Sequence, residues 1–372
     1  MKLTIERSAL LKSLGHAQSV VERRNTIPIL ANVLLQVADG RLSFAATDMD
    51  IGIIETVPVE AAAPGSTTAP AHTLHDIVRK LPEGAQVSIE ATGDNGQVKL
   101  RSGRSTFTLA ALPTEEFPAI SGGELPHRFR LPARELRLLI DRTRFAISTE
   151  ETRYYLNGIH LHAAAVGDTP VLRAVATDGH RLARAEIPLP EGAAGMPGVI
   201  VPRKTVGELR KLLDEAEAEA EVAVSDSRIR FAFHDTVLIS KLIDGTFPDY
   251  ERVIPTGNNK ILAVDCRQFR DAVDRVSTIS SEKSRAVKLS LGGDAMTLSA
   301  TSADAGTATE EIEVRYEAEP MEIGFNARYL LDIAQQIEGE TAEVALADPT
   351  APTLIRDVAD ASALYVLMPM RV

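Results

Sequence analysis

The chain repeats itself at the scale of a domain, and this limits its fold more than any single motif does. Three stretches share one grammar: "KLTIERSALLKSLGHAQSVV" from Lys2, "HRFRLPARELRLLIDRTRFAIS" from His127 and "KILAVDCRQFRDAVDRVSTIS" from Lys260. Each reads as a short alternating strand followed by an amphipathic helix. In the second, Leu136, Leu139, Ile140 and Thr143 fall on one face at helical spacing. Alternating strands follow each stretch, and Asp39-Gly40 and Gly292-Gly293 are two-residue hairpin signals. A second strand–helix unit then recurs as "TTAPAHTLHDIVRKLPEG", "GVIVPRKTVGELRKLLDE" and "MEIGFNARYLLDIAQQIEGE". Its matching positions Ala71, Pro202 and Asn326 stand about 130 and then about 124 positions apart, close to one domain length. The chain therefore reads as three copies of one α+β domain. The turn-rich stretches "SGGELPH" and "VIPTGNN" place the domains at 1–124, 125–252 and 253–372.

A length of 372 residues suits two or three domains. Aromatic residues are 4% and Trp is absent, so the cores must be built from Leu, Ile, Val and Ala. Cys266 is the single cysteine, which excludes an intrachain disulfide and a cysteine metal site. Glu6, Arg7 and Lys12 interrupt the N-terminal apolar residues, unlike a signal peptide. No stretch approaches the roughly 18 apolar residues of a membrane span. The expectation is a soluble, cytoplasmic protein.

The net charge of −12 argues against a protein that coats nucleic acid. The charge is unevenly placed, however. The predicted helices carry Arg134, Arg137, Arg142 and Arg144, then Arg203, Lys204, Arg210 and Lys211, with Arg79-Lys80 and Arg23-Arg24 in or beside two others. Acids gather in strands and loops, as at Glu310, Glu311, Glu313, Glu317 and Glu319, and the run "DEAEAEAE" from Asp214 reads as solvated. Such helices could hold DNA on one face, or simply present Lys and Arg to water.

The densest cluster of reactive side chains is "ATDGHRLA" at 176–183. It aligns with "ATDMDIGI" at 46 and "ATSADAGT" at 300; His180 and Arg181 do not recur. The cluster is open to three readings: a strand-end turn, a catalytic group in which Thr177 and His180 supply two roles and no residue marks a third, or a recognition surface special to the middle domain. The pairs His72/His75 and His160/His162 have metal-ligand spacing, but no carboxylate or thiol completes either one. No phosphate-binding loop is present, and no cofactor or metal is expected.

Several of these stretches resemble the bacterial sliding clamp family, the beta subunits of DNA polymerase III. They are "RYYLNG" at 153, "ATDGHRLA" at 176, "VIVPRK" at 199, "SKLIDGTFPDYERVIP" at 240 and "YVLMPMRV" at 365, with "PILANVLLQVADGRL" and "LRSGRSTFTLAALP" in the first domain. The resemblance spans essentially the whole chain. It implies a DNA clamp fold: a non-catalytic, head-to-tail homodimer whose helices line a ring around double-stranded DNA, with sheets outside. It also implies partners, namely the polymerase III catalytic subunit, the clamp loader, and other polymerases and repair proteins that bind through short linear motifs.

Residue by residue, the resemblance implies a peptide pocket. Its members are Arg153, Tyr155, Leu156, Thr177, Gly179, His180, Arg181 and Leu182, with Pro248, Arg252 and Val253, and with Val366, Leu367, Met368, Pro369, Met370 and Arg371. The DNA set is Arg24, Arg203 and Lys204. The dimer set is Arg104, Phe107 and Leu109 on one side and Thr278, Ile279, Glu310 and Glu311 on the other. Two positions depart from the pattern. Glu251 stands where a basic residue can occur, and Glu150 lies near the DNA path, where an uncharged residue is easier to rationalise. The rival readings are a hydrolase using His180 and Asp178, and a scaffold with no DNA role.

Overall fold

A computed structural model describes residues 1–91, 96–215, 219–280 and 285–371. Of the acidic run, residues 216–218 lie outside the described set, and Asp214 pairs with Arg210 one helical turn away. The described residues hold six α-helices: α1 (Arg7–Val20), α2 (Ala71–Lys80), α3 (Ala133–Asp141), α4 (Arg203–Glu215), α5 (Cys266–Ser277) and α6 (Ala327–Ala334). Each copy of the repeat contributes two of them.

Local chemistry sets the helix starts. Glu6 accepts from the Ser8 amide at 2.9 Å, Asp265 from the Gln268 amide at 2.7 Å and Asn326 from the Arg328 amide at 3.0 Å, so α1, α5 and α6 each begin on a side-chain cap. Apolar periodicity sets the buried faces: Leu10, Leu14 and Ala17 on α1, and Phe269, Ala272, Val273 and Val276 on α5. The expected face Leu136, Leu139, Ile140 and Thr143 is buried throughout. Thr143 lies past the end of α3, and its hydroxyl donates to the Leu139 carbonyl at 2.6 Å.

The first hairpin turns at Asp39-Gly40, both with positive φ, as a tight two-residue turn requires. The hairpin assigned to Gly292-Gly293 turns one residue later. Gly292 pairs with Ala295, which leaves Gly293 and Asp294 at the bend. Gly293 supplies the positive φ there, and Gly292 ends the strand.

The described chain divides into two compact units: Met1–Arg134 with Pro190–Pro197 and Lys204–Leu242, and Glu135–Leu189 with Gly198–Arg203 and Ile243–Val372. These units cut across the threefold repeat because sheets continue from one copy into the next. In the first unit an eight-stranded antiparallel sheet places strand Thr236–Lys241 of the middle copy beside Ile51–Pro58 of the first, with Leu238 opposite Ile53. In the second, a nine-stranded sheet places Asp360–Leu367 of the last copy beside Arg181–Pro188 of the middle one, with Val366 opposite Leu182. Two smaller sheets end on open edges. Ser105–Ala110 closes the five-stranded sheet of the first unit, and Gly306–Glu313 closes the four-stranded sheet of the second.

Candidate peptide-binding site and its supports

Thr177 and Asp178 make a turn. Thr177 Oγ1 donates to the Arg181 carbonyl at 2.7 Å and accepts from the Gly179 amide at 3.1 Å. Asp178 Oδ1 accepts from the amides of His180 (2.9 Å) and Arg181 (3.0 Å). The first copy repeats this network. Thr47 Oγ1 donates to the Ile51 carbonyl at 2.8 Å, and Asp48 Oδ1 accepts from the amides of Asp50 (2.9 Å) and Ile51 (2.8 Å). Gly179 has φ +89° where Met49 has φ +80°, so both copies turn through the left-handed region. A hydroxyl and a carboxylate committed to backbone groups are neither nucleophile nor base. The shared residues are turn chemistry, and the residues unique to the middle copy carry what is special to it.

Arg181 is one of these, and it is a strut. It is buried, donating to Asp332 Oδ2 at 2.5 Å and to the Phe145 carbonyl at 2.6 Å, with its guanidinium 4.2 Å from the Tyr329 ring centre. It fixes the turn against α6, so besides its expected place at the peptide site it has a supporting role. His180 is exposed and lies over the same tyrosine, ring centres 6.4 Å apart.

The turn opens the strand that carries Leu182, and Leu182 shares one buried apolar cluster with Leu156, Val175, Ile200, Phe247, Tyr250, Leu354, Leu364 and Val366, against which Tyr155 packs. Residues from four distant parts of the chain therefore meet. Above this floor Met368 is 40% exposed and Val253 52%, and Pro248 and Arg252 are also exposed. The C-terminal stretch is stitched into place: the Met368 amide donates to the His180 carbonyl at 2.9 Å, and the Met370 amide to the Gly324 carbonyl at 2.8 Å. A buried apolar floor with an exposed Met, Val and Pro rim suits an extended peptide that inserts one or two apolar side chains.

The wall formed by residues 243–254 rests on a polar network that sequence reasoning missed. Arg173, 3% exposed, donates to Glu186 Oε2 at 2.8 Å, to the Tyr250 hydroxyl at 2.8 Å and to Glu251 Oε1 at 2.7 Å. Glu251, itself exposed, reaches back to the buried Arg173 and ties the wall to the sheet, which gives an acid at that position a structural partner. The signal in the sequence was one arginine inside the apolar strand "VLRAVA". The His160/His162 pair belongs to the same support. Phe247 stacks on His160 at 4.8 Å, the two imidazoles stack at 4.6 Å, and His162 Nε2 meets the Tyr250 hydroxyl at 2.9 Å. His72 Nε2 contacts the Val21 carbonyl at 2.9 Å and His75 lies 3.8 Å from Asp76.

Burial, and then the neighbouring His162, lower the His160 pKa to about 4. Above pH 6.5 the ring is neutral in both the folded and the unfolded chain and contributes nothing to pH dependence. Between pH 6.5 and 4 only the unfolded chain takes up the proton, so stability falls as pH falls, by up to roughly 3 kcal/mol from this residue. Unfolding measured across that range should show a shallower loss in His160→Phe than in wild type. Parallel curves would show that the stack is not the origin.

The three residues expected to meet DNA differ. Arg24 and Arg203 are exposed. Lys204 is half-buried and already engaged, donating to the Val20 carbonyl at 3.0 Å, to Asp48 Oδ2 at 2.6 Å and to Glu22. Its charge is matched within the first unit by Asp48 and Glu22. At the expected dimer surfaces, Arg104 and Glu311 are exposed, Phe107, Leu109 and Ile279 are half-buried, and Thr278 is exposed. Glu310 holds Arg275 at 2.6 Å.

With this geometry in view, comparison with known proteins is specific. Three domain families match in order: the DNA polymerase III beta subunit N-terminal domain over residues 1–121, the central domain over 130–249 and the C-terminal domain over 251–371. The beta sliding clamp of Caulobacter vibrioides is 57% identical over the full length of both chains, and that of Escherichia coli K12 is 39% identical over the same span. A solved Caulobacter crescentus beta sliding clamp superposes with a TM-score of 0.97 at 57% identity, covering 100% of this chain and 99% of that one. A Bartonella birtlesii sliding clamp bound to griselimycin gives a TM-score of 0.97 at 48% identity, with full coverage of both.

Proposed function

The chain belongs to the DNA polymerase III beta subunit family, the beta sliding clamps, and from that premise we propose how its own residues build the assembly. It is a processivity factor and not an enzyme. Two copies close head to tail into a ring around duplex DNA, and the site around Leu182 tethers the polymerase III catalytic subunit, the clamp loader, and other polymerases and repair proteins through short linear motifs. The setting is the cytoplasm, where bacterial DNA is replicated; no described helix is long and apolar enough to cross a membrane.

One observation carries the ring. The last strand of the middle copy pairs with the Ile51–Pro58 strand, and the last strand of the third copy pairs with Arg181–Pro188. The corresponding strands still open are Ser105–Ala110, the last of the first copy, and Gly306–Glu313, which follows the third copy's "ATSADAGT" turn. Open edges demand a partner, and an edge at each end of a repeat is satisfied by a second chain in a heterologous, closing contact. Counted from the hairpin bend, Phe107 takes the place of Leu238, which is fully buried in the first seam. Arg104 at the bend then faces Glu310 and Glu311 of the other chain.

We propose domains over 1–124, 125–252 and 253–372, with Arg24 and Arg203 making backbone-directed contacts to DNA. These contacts carry no sequence information and release counterions. Binding to short linear duplexes should therefore be weak, equal for unrelated sequences, and steeply reduced by salt. A strong preference for one short sequence would contradict this reading.

A further inference from the structure

Arg153 lies across the recognition turn and is already occupied. Its Nε donates to Glu150 Oε2 at 2.7 Å, and its Nη2 donates to the other carboxylate oxygen, so one carboxylate takes a whole edge of the guanidinium. Its Nη1 rests on Gly179: a Cβ built there would stand 2.4 Å from that nitrogen, so glycine is needed for the arginine to lie where it does. The backbone supports the placement, since Arg153 interrupts its short 3-10 helix with φ −107° and ψ 48°. The pair is partly exposed, 32% for Arg153 and 51% for Glu150, which leaves it open to exchange with a ligand.

The first copy lacks this arrangement. Arg153 stands five residues before the strand that begins at Gly158; five residues before the matching strand at Asn32 the first copy has Ile27. Glu150 stands eight before, where the first copy has Arg24. The position that is basic in the first copy, Arg24, is thus acidic in the middle copy, which carries an arginine over the recognition turn. Attraction to Arg153 lowers the Glu150 carboxyl pKa, chiefly through the hydrogen bonds between them, so the carboxylate is charged at neutral pH.

We infer that Glu150 is an internal stand-in for an acidic side chain of the client peptide: it fills the carboxylate site of Arg153 until a client acid displaces it, and so sets how strongly the pocket rewards acidic clients. The inference rests on the peptide-binding reading above. It gives Glu150 a role at the pocket and none at the DNA. With Glu150 in place the two charges cancel and a client acid gains little. With Glu150 neutralised, Arg153 becomes an unopposed bidentate donor.

The test is a cycle of four calorimetric titrations. Two capped extended peptides, each with leucine and phenylalanine anchors and with either Asp or Asn between them, are titrated into the full-length wild type and into Glu150→Gln. The substitution is isosteric and on the surface, and dimer mass and thermal midpoint serve as controls. We expect the Asp peptide to tighten by about three- to fivefold in Glu150→Gln, the scale of one exposed ion pair, while the Asn peptide changes by less than about twofold. The gain should shrink with added salt, which a merely structural effect would not produce. An Asp-to-Asn affinity ratio that is the same in both proteins overturns the inference and leaves the pocket standing. Failure of both peptides to bind either protein overturns the pocket reading and the inference together.

Discussion

Removing residues 368–372 should abolish client-peptide binding and leave the two-chain mass unchanged; Val372 lies outside the described residues. The deletion takes away the exposed Met368 and the Pro369 and Met370 wall, together with the two backbone bonds to His180 and Gly324 that hold this wall against the turn. A buried Leu or Phe anchor contributes roughly 1.5–3 kcal/mol, so a short peptide with two anchors binds in the micromolar range. Losing one wall of the pocket then takes affinity beyond calorimetric detection. The open edges at Ser105–Ala110 and Gly306–Glu313 are untouched, so the oligomer should persist. Equal peptide affinity in the truncated and wild-type chains would show that the site lies elsewhere and would reopen a catalytic role for His180.

The repeat was legible because hydrophobic period and turn residues are local properties, and each copy keeps them. How the copies join was not. The seams of Leu238 with Ile53 and of Val366 with Leu182 lie between strands far apart in sequence, and alternation alone names no partner. Charge pairing was the least legible part. Lys204, expected at the DNA, is also held by Asp48 and Glu22; Arg181, expected at the peptide, also braces the turn through Asp332; Glu251, a departure from the family pattern, pairs with Arg173. In each case a partner distant in the chain decides whether the charge is free, and composition cannot show this. The apolar part of the pocket fared better. Leu156, Leu182 and Val366 do converge on one cluster, but Phe247, Tyr250 and Arg173 beneath it were missed.

The second large effect concerns the ring itself. Replacing Phe107 and Ile279 together with Glu should convert a two-chain species into single chains, because each would place a charge where the intrachain seams place a buried apolar side chain. Phe107 corresponds to Leu238, and Ile279 follows α5 as Val20 ends α1. An unpaired charge in such a seam costs several kcal/mol, enough to dissociate an interface at micromolar concentration. A two-chain mass in the double variant would show that the joint is placed wrongly.

The most direct test of the account follows from the same variant. Wild-type protein is loaded onto a nicked DNA circle by a clamp loader and challenged with salt that abolishes its binding to short duplexes. It should stay on the circle and leave within minutes of a single cut that linearises the DNA; the Phe107→Glu/Ile279→Glu protein should not be retained on either. Equal loss of the wild type from circular and linear DNA would contradict enclosure, and with it the reading of this chain as half of a ring.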